Sequence, residues 1–261
     1  MNVPAKRSLT DCFDSGDDMD TTTIFILPVI FIATLIRSTF GFGESLIAVP
    51  LLILFIPIEI AVPLSVLLSV TIAAFIVAQD RKQIHFMSAK WLVIFAIPGI
   101  PLGLFILIYG NERFIKSALG LIIILYSVYS LIGKRKISLK KDNLFWLFIC
   151  GFFSGVFGGA YGLNGPPLVI YGNMRGWTSS YFRATLQAYF LPASVIGMIG
   201  YWWQGLWVHT VTHYFLISLP VVIPAIFLGR YLNSQIKNNF FFNYIYSGLI
   251  IIGVILITQA F

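Results

Sequence analysis

The sequence predicts an all-α polytopic membrane protein made of two inverted repeats, each a Gly-broken short helix pair followed by three transmembrane helices. Three observations lead there. Hydrophobic residues make up 58% of the chain and charged residues only 10%, with a mean hydropathy of +0.90, which is too apolar for a soluble domain. Apolar runs recur from Ile24 to the C-terminus, and the short loops between them hold almost every Lys and Arg. Two glycine-rich interruptions, Gly41-Phe42-Gly43-Glu44 and Gly158-Gly159-Ala160-Tyr161-Gly162, stand near the heads of two similar halves. The net charge of +7 is therefore loop charge that orients the chain in a bilayer, not a face for nucleic acid.

Taken in order, residues 1–22 are polar, with Asp11, Asp14, Asp17, Asp18 and Asp20 against Lys6 and Arg7. No apolar core follows a basic start, so a disordered tail is expected rather than a signal peptide, with Met19 an alternative start. Residues 23–133 form the first repeat, with apolar segments at 24–36, 45–58, 60–79, 91–109 and 114–132. A linker at 134–142 carries Lys134, Arg135, Lys136, Lys140 and Lys141 and is expected to be cytoplasmic. Residues 143–261 form the second repeat, with segments at 144–157, 163–171, 184–202, 214–228 and 240–258. The last three segments of each set have the length needed to cross ~30 Å of hydrocarbon; the first two are short.

The halves align. Placing Gly41 on Gly158 also places Phe40 on Phe157, Leu46 on Leu163, Pro50 on Pro167 and Ile53 on Ile170. Loop charges put Arg81, Lys82 and Lys90 on the side of the basic linker, with Arg230 and Lys237, while 203–213 and the C-terminus are uncharged. The loop between the third and fourth segments is then inside in one half and outside in the other. That is an inverted repeat, and it needs an odd number of crossings per half: five helices, or a re-entrant hairpin plus three. Both termini then face outward.

Irregular backbone survives at membrane depth only against protein or a water-filled cavity, and glycine supplies the dihedrals it needs. Half-helices meeting at such a break present unpaired N–H groups that suit an anion. Gly41, Gly43, Ser45, Gly158 and Gly159 are therefore candidate substrate-binding positions, and the competing reading of the glycines is a small-residue helix-packing face. Arg37 and Glu44 are the two charges deep in apolar sequence, and they flank the first break. Either they neutralise each other across the turn, or Arg37 draws an oxyanion while Glu44 takes or releases a proton. Asn164 follows the second break and can orient a ligand oxygen. Arg183 and Gln187 share a helix face one turn apart; Arg183 lines the pathway or snorkels to the headgroups. His209 and His213 have metal spacing but lack an acidic partner and sit beside Trp202, Trp203 and Trp207 at an interface.

The run Phe40 to Leu52, through Gly-Phe-Gly-Glu-Ser and ending Pro50-Leu-Leu, resembles the Gly-rich opening segment of the TauE/SafE family of sulfite exporters. The run Gly151 to Pro167 resembles that family's second copy, and Phe182-Arg-Ala-Thr-Leu-Gln187 the segment after it. The resemblance extends from about Thr22 over nearly the whole chain. It implies transport of sulfite, organosulfonates or related small anions. Where the family often has a third glycine this chain has Glu44-Ser45, which changes the charge of the site.

No catalytic set accompanies these features: there is no Gly-x-Ser-x-Gly elbow, no His-Glu-x-x-His and no phosphate loop. A transporter in the cell inner membrane is therefore expected, not an enzyme, with no cofactor and no metal. Its partners are a small anion and the lipid bilayer. A coupling ion, proton or sodium, and a homodimer are left open. The alternatives are a drug/metabolite-type carrier, which need not break its first segment, and a membrane redox or assembly protein. The latter would need cysteines at matching repeat positions, yet Cys150 corresponds to Ala33 and Cys12 lies in the tail.

Overall fold

Glycine or proline stands at many of the breaks between helices, as at Gly41–Gly43, Pro57, Pro98, Gly110 and Gly162, although Pro28, Pro50, Pro63, Pro192, Pro220 and Pro224 lie within helices. The computed structural model describes residues 16–132, 139–177 and 179–235 and, near the C-terminus, 250–251, 253–254 and 257–258. The described residues are almost wholly helical. The first half contains α1 (Gly16–Phe40), α2 (Glu44–Leu52), α3 (Ile58–Asp80), α4 (Phe86–Ala96), α5 (Gly99–Tyr109) and α6 (Glu112–Ile132). The second contains α7 (Leu144–Tyr161), α8 (Gly165–Arg175), α9 (Ser179–Trp203) and α10 (His209–Gln235). Four of these are long and apolar enough to cross a membrane, and α4 with α5, bent by 44° at Ile97-Pro98, makes a fifth. Pro98 has no N–H to continue the helical ladder, so the segment expected as one rod from 91 to 109 is two. Exposed Phe105, Phe148, Phe153 and Leu216 cover the outside, and Trp202, Trp203 and Trp207 stand at one end, as a multi-pass membrane protein requires.

The structure changes three expectations. Helix α1 begins at Gly16, inside the stretch expected to be a tail, and residues 1–15 lie outside the described set. The first segment of each half is not short: Thr22–Phe40 and Leu144–Tyr161 each suffice to span. Hydropathy ended them early because it drops at Arg37-Ser38-Thr39 and at the glycines, whereas the helices run on through both. The second break accordingly falls at Gly162-Leu163-Asn164, and Gly158 and Gly159 belong to α7. Break one at Gly41 then matches break two at Gly162, Glu44 matches Gly165, and Ile58 matches Ser179 at one common offset. That register sits one helical turn from the Gly41-on-Gly158 alignment. The linker at 134–138, Lys237 and most of the final segment at 240–258 lie outside the described residues.

Both broken pairs fold back as hairpins. Phe25, early in α1, stacks on Phe55, just past α2, at 5.2 Å, so this pair enters and leaves at the start of α3. In the second pair Leu139 N–H donates to Met174 O at 2.7 Å and Tyr171 Oη to Asp142 at 2.8 Å. The end of α8 therefore returns to where α7 begins. That end also holds the α3–α4 junction, since Ser88 donates to Asp142 at 2.8 Å and His85 N–H to Thr185 at 3.0 Å. The two hairpins thus open toward opposite ends of α3, which is about 35 Å long.

Helices α3 and α9 form the centre and run antiparallel, with contacts at Asp80–Arg183, Ser69–Ser194 and Gly197–Val66. Around them the halves exchange partners: α1 packs on α10, and α7 on α4 and α5. The α7 contact explains its glycines. Lipid offers no hydrophobic drive to bring helices together, so close backbone packing must do it. A Cβ at Gly151, Gly155 or Gly159 would lie 2.8 Å from Leu92 O, 2.3 Å from Ala96 O or 2.3 Å from Ile100 O. Across the seam Gly99 and Gly103 press equally close on Phe152 and Val156.

Candidate functional site

At the tip of the first hairpin the chain reverses through two left-handed glycines, Gly41 at φ +85° and Gly43 at φ +98°. Position 41 admits nothing larger, because a Cβ there would lie 2.8 Å from the Arg183 Cα. The second tip reverses at Gly162, φ +69°. Its loop is braced by Ser154, whose Oγ donates to Asn164 O at 2.6 Å. Tyr201 is buried and its hydroxyl lies 3.1 and 2.8 Å from the carbonyl oxygens of Gly158 and Gly159 as donor, bracing a helix end whose Gly158 O also accepts from Gly162 N–H at 2.9 Å.

The two tips face each other. Between them lies a cavity of about 20 Å³, lined by Arg37, Phe42, Gly43, Glu44, Ser45 and Ser69 from the first half and Gly162, Asn164, Gly165 and Phe190 from the second. That is room for about one water.

Arg37 and Glu44 are 3% and 2% exposed, and their ion pair is 2.8 Å long. A buried guanidinium needs all its N–H groups engaged, and the neighbouring helices supply the partners. Nη1 donates to Glu44 and, at 2.7 Å, to Ser69 Oγ; Nη2 donates to Gln187 Oε1 at 2.9 Å; the group lies 4.8 Å over the Phe190 ring. Glu44 accepts further bonds from Ser65 at 2.9 Å and Ser45 at 3.1 Å. Gln187 uses its amide N–H to hold Gly41 O at 2.8 Å, so one side chain ties Arg37 to the break itself. Asn164 differs. It is 7% exposed on the cavity wall, packs against Gly158, and among the described residues its side-chain amide makes no hydrogen bond. The open donors here are that amide and the N–H groups at the start of α2, whose N-cap Gly43 offers no side chain.

Of the positions singled out in the sequence, Arg37, Gly43, Glu44, Ser45 and Asn164 line the cavity, while Gly41 and Gln187 hold it in shape. Gly158 backs Asn164, and Gly159 faces α5 instead. Arg183 stands outside the cavity, behind Gly41, with Nε 3.5 Å from Asp80. The neutralising contact between Arg37 and Glu44 is formed in this conformation. Sequence reading missed Ser65, Ser69, Phe190, Ser194 and Tyr201. Ser65 and Ser69 are four apart inside an apolar run, a one-face polar pair that could have pointed to them. His209 and His213 stack at 6.5 Å, and no group of three potential metal ligands occurs among the described residues.

The profile of the family described as Sulfite exporter TauE/SafE matches residues 26–256. A Cupriavidus necator (strain H16) protein named "Probable sulfite/organosulfonate exporter TauE" is 27% identical over 157 residues, 57% of this chain and 59% of that protein. The match therefore spans less than two thirds of that relative. No solved structure matches the chain.

Proposed function

The chain belongs to the TauE/SafE sulfite exporter family, and on that premise we propose that it is a secondary transporter moving sulfite, an organosulfonate or a similar small anion across the cell inner membrane. The observation that carries the reading is the cavity between two facing helix breaks, with a buried Arg37–Glu44 pair on one wall and on the other Asn164, whose side-chain amide makes no hydrogen bond among the described residues. An anion entering there meets a guanidinium, a helix N-terminus and an amide donor, each suited to oxygen ligands. It must also displace Glu44 from Arg37. A carboxylate losing its partner in a dry site takes up a proton more readily than it stays charged, so the coupling ion in this reading is a proton and its carrier is Glu44.

The two halves act as inverted repeats that rock about this point. Supporting this are the antiparallel α3 and α9, the hairpins opening to opposite ends, and the exchanged packing of α1 with α10 and of α7 with α4 and α5. The basic loops support a cytoplasmic position for the Asp142 end. Since the cavity holds about one water, substrate binds when one half tilts and the tips part.

Reconstitution in proteoliposomes tests the proposal, with labelled sulfite, an alkanesulfonate and an uncharged analogue of similar size. Saturable movement of the anions accelerated by a proton gradient running in the same direction as the anion, and lost in Glu44→Gln, is expected. Movement of the uncharged solute alone would overturn it.

A further inference from the structure

Among the described residues, Arg183 is a buried charged group near the pathway whose bonding the central site does not absorb. It is 4% exposed, yet Nε and Nη2 make no hydrogen bond. Buried donors are almost always paired, and an arginine at membrane depth leaves them open at high cost. Its acidic neighbour Asp80 approaches Nε only to 3.5 Å, without hydrogen-bond geometry. Arg230, exposed on α10, adds like-charge repulsion. Two cations against one carboxylate leave this spot electropositive.

The open atoms have a particular shape. Nε and Nη2 form the side-on edge of the guanidinium, two parallel donors spaced to receive two oxygens of one oxyanion. Their position is equally specific. Arg183 lies directly behind Gly41 at the tip of the first hairpin. One helical turn on is Gln187, which touches both Gly41 O and Arg37. An anion released from Arg37 toward the Asp80 end passes this tip.

We propose that Arg183 forms a second subsite for a small oxyanion, which receives substrate at the Asp80 end of the molecule and hands it past Gly41 to Arg37. The proposal rests on the transport reading above. Asp80 occupies the fork loosely in this conformation and yields it to the substrate when the first hairpin shifts. A purely structural Arg183–Asp80 latch makes a different forecast, because removing either partner then only loosens the fold.

The test is sulfite transport in proteoliposomes of defined orientation, with half-saturation measured separately from each face. In Arg183→Gln and Arg183→Lys, half-saturation at the Asp80 face should rise about tenfold, the loss of one charge-assisted hydrogen bond. At the opposite face it should not change. Lysine fails with glutamine because it keeps the charge and loses the fork. Asp80→Asn should lower half-saturation at its own face, since the competitor is gone. Unchanged values in both arginine variants, or full rescue by lysine, would overturn the subsite. Should the arginine variants not fold, Asp80→Asn decides: an unchanged or raised half-saturation overturns it. Failure of the wild-type protein to move any anion would instead refute the transport reading.

Discussion

Arg37 and Glu44 meet across the three residues of the first break, with Nη1 2.8 Å from Oε2 and both side chains buried. Neither charge has a charged counterpart in the second half, where the common offset puts Gly158 and Gly165. The two facing tips are alike in backbone and opposite in chemistry: one carries a charge pair, the other an amide.

Removing one member of this pair leaves the other charge buried alone, which costs about 3–5 kcal/mol. Arg37→Gln and Glu44→Gln should each lower the unfolding temperature in detergent markedly. The double variant should recover much of the loss, because no orphan charge remains. Additive losses in the double variant would show that the pair is not coupled.

Gly41→Ala meets two penalties, a left-handed φ worth about 1–2 kcal/mol and a contact 2.8 Å from backbone. Gly176→Ala meets only the first, since φ is +62° and nothing lies within 4 Å. Thermal unfolding should rank Gly41→Ala well below Gly176→Ala. Equal effects would mean that the hairpin tip does not press on α9.

The seam between α7 and α4/α5 makes a parallel forecast. Gly155→Ala and Gly103→Ala place a methyl 2.3 and 2.1 Å from facing carbonyls and force the helices apart. Gly165→Ala has only Phe42 Cβ at 3.9 Å. Yield of folded protein by size-exclusion chromatography should fall for the first two and hold for the third.

Much of this was legible in the sequence for a physical reason. Gly-rich interruptions and lone charges are rare in apolar runs, so Arg37, Glu44, Gly41, Gly43 and Asn164 stood out. The hairpin tips were less so. Whether Gly158-Gly159 is a break or a packing face depends on Ile100 and Gly103, which sit far away in sequence and on another helix. Hydropathy cannot see that partner, and it placed the second break a turn early. The pairing of Ser69 with Ser194 could not be read from the sequence, because a serine in a membrane helix ordinarily bonds its own backbone, as Ser218 does to Tyr214 O at 2.6 Å. Only the antiparallel crossing of α3 on α9 turns these two toward each other and toward Arg37.

At the linker end, Asp142 is partly buried, which works against its charged form. Hydrogen bonds from Ser88 and Tyr171 and the charge of Arg175 outweigh this and hold its carboxyl below the ordinary carboxylate range. A depressed folded value contributes stability above the unfolded value, near pH 4, and loses it as pH falls through the folded one. Asp142→Asn should therefore unfold more easily at neutral pH and show a shallower loss of stability as pH falls below about 4. An acid profile identical to wild type would remove Asp142 from the clamp between α8 and α4.

The most direct test of an anion seated between the breaks is a thermal-shift comparison of wild type with Asn164→Ala. Among the described residues Asn164 spends no hydrogen bond from its side chain on the fold, so the variant should unfold at nearly the wild-type temperature without ligand. Sulfite and an alkanesulfonate should raise the wild-type unfolding temperature, uncharged analogues should not, and Asn164→Ala should lose most of the shift. Stabilisation by uncharged solutes only, or an equal anion shift in both proteins, would contradict the account.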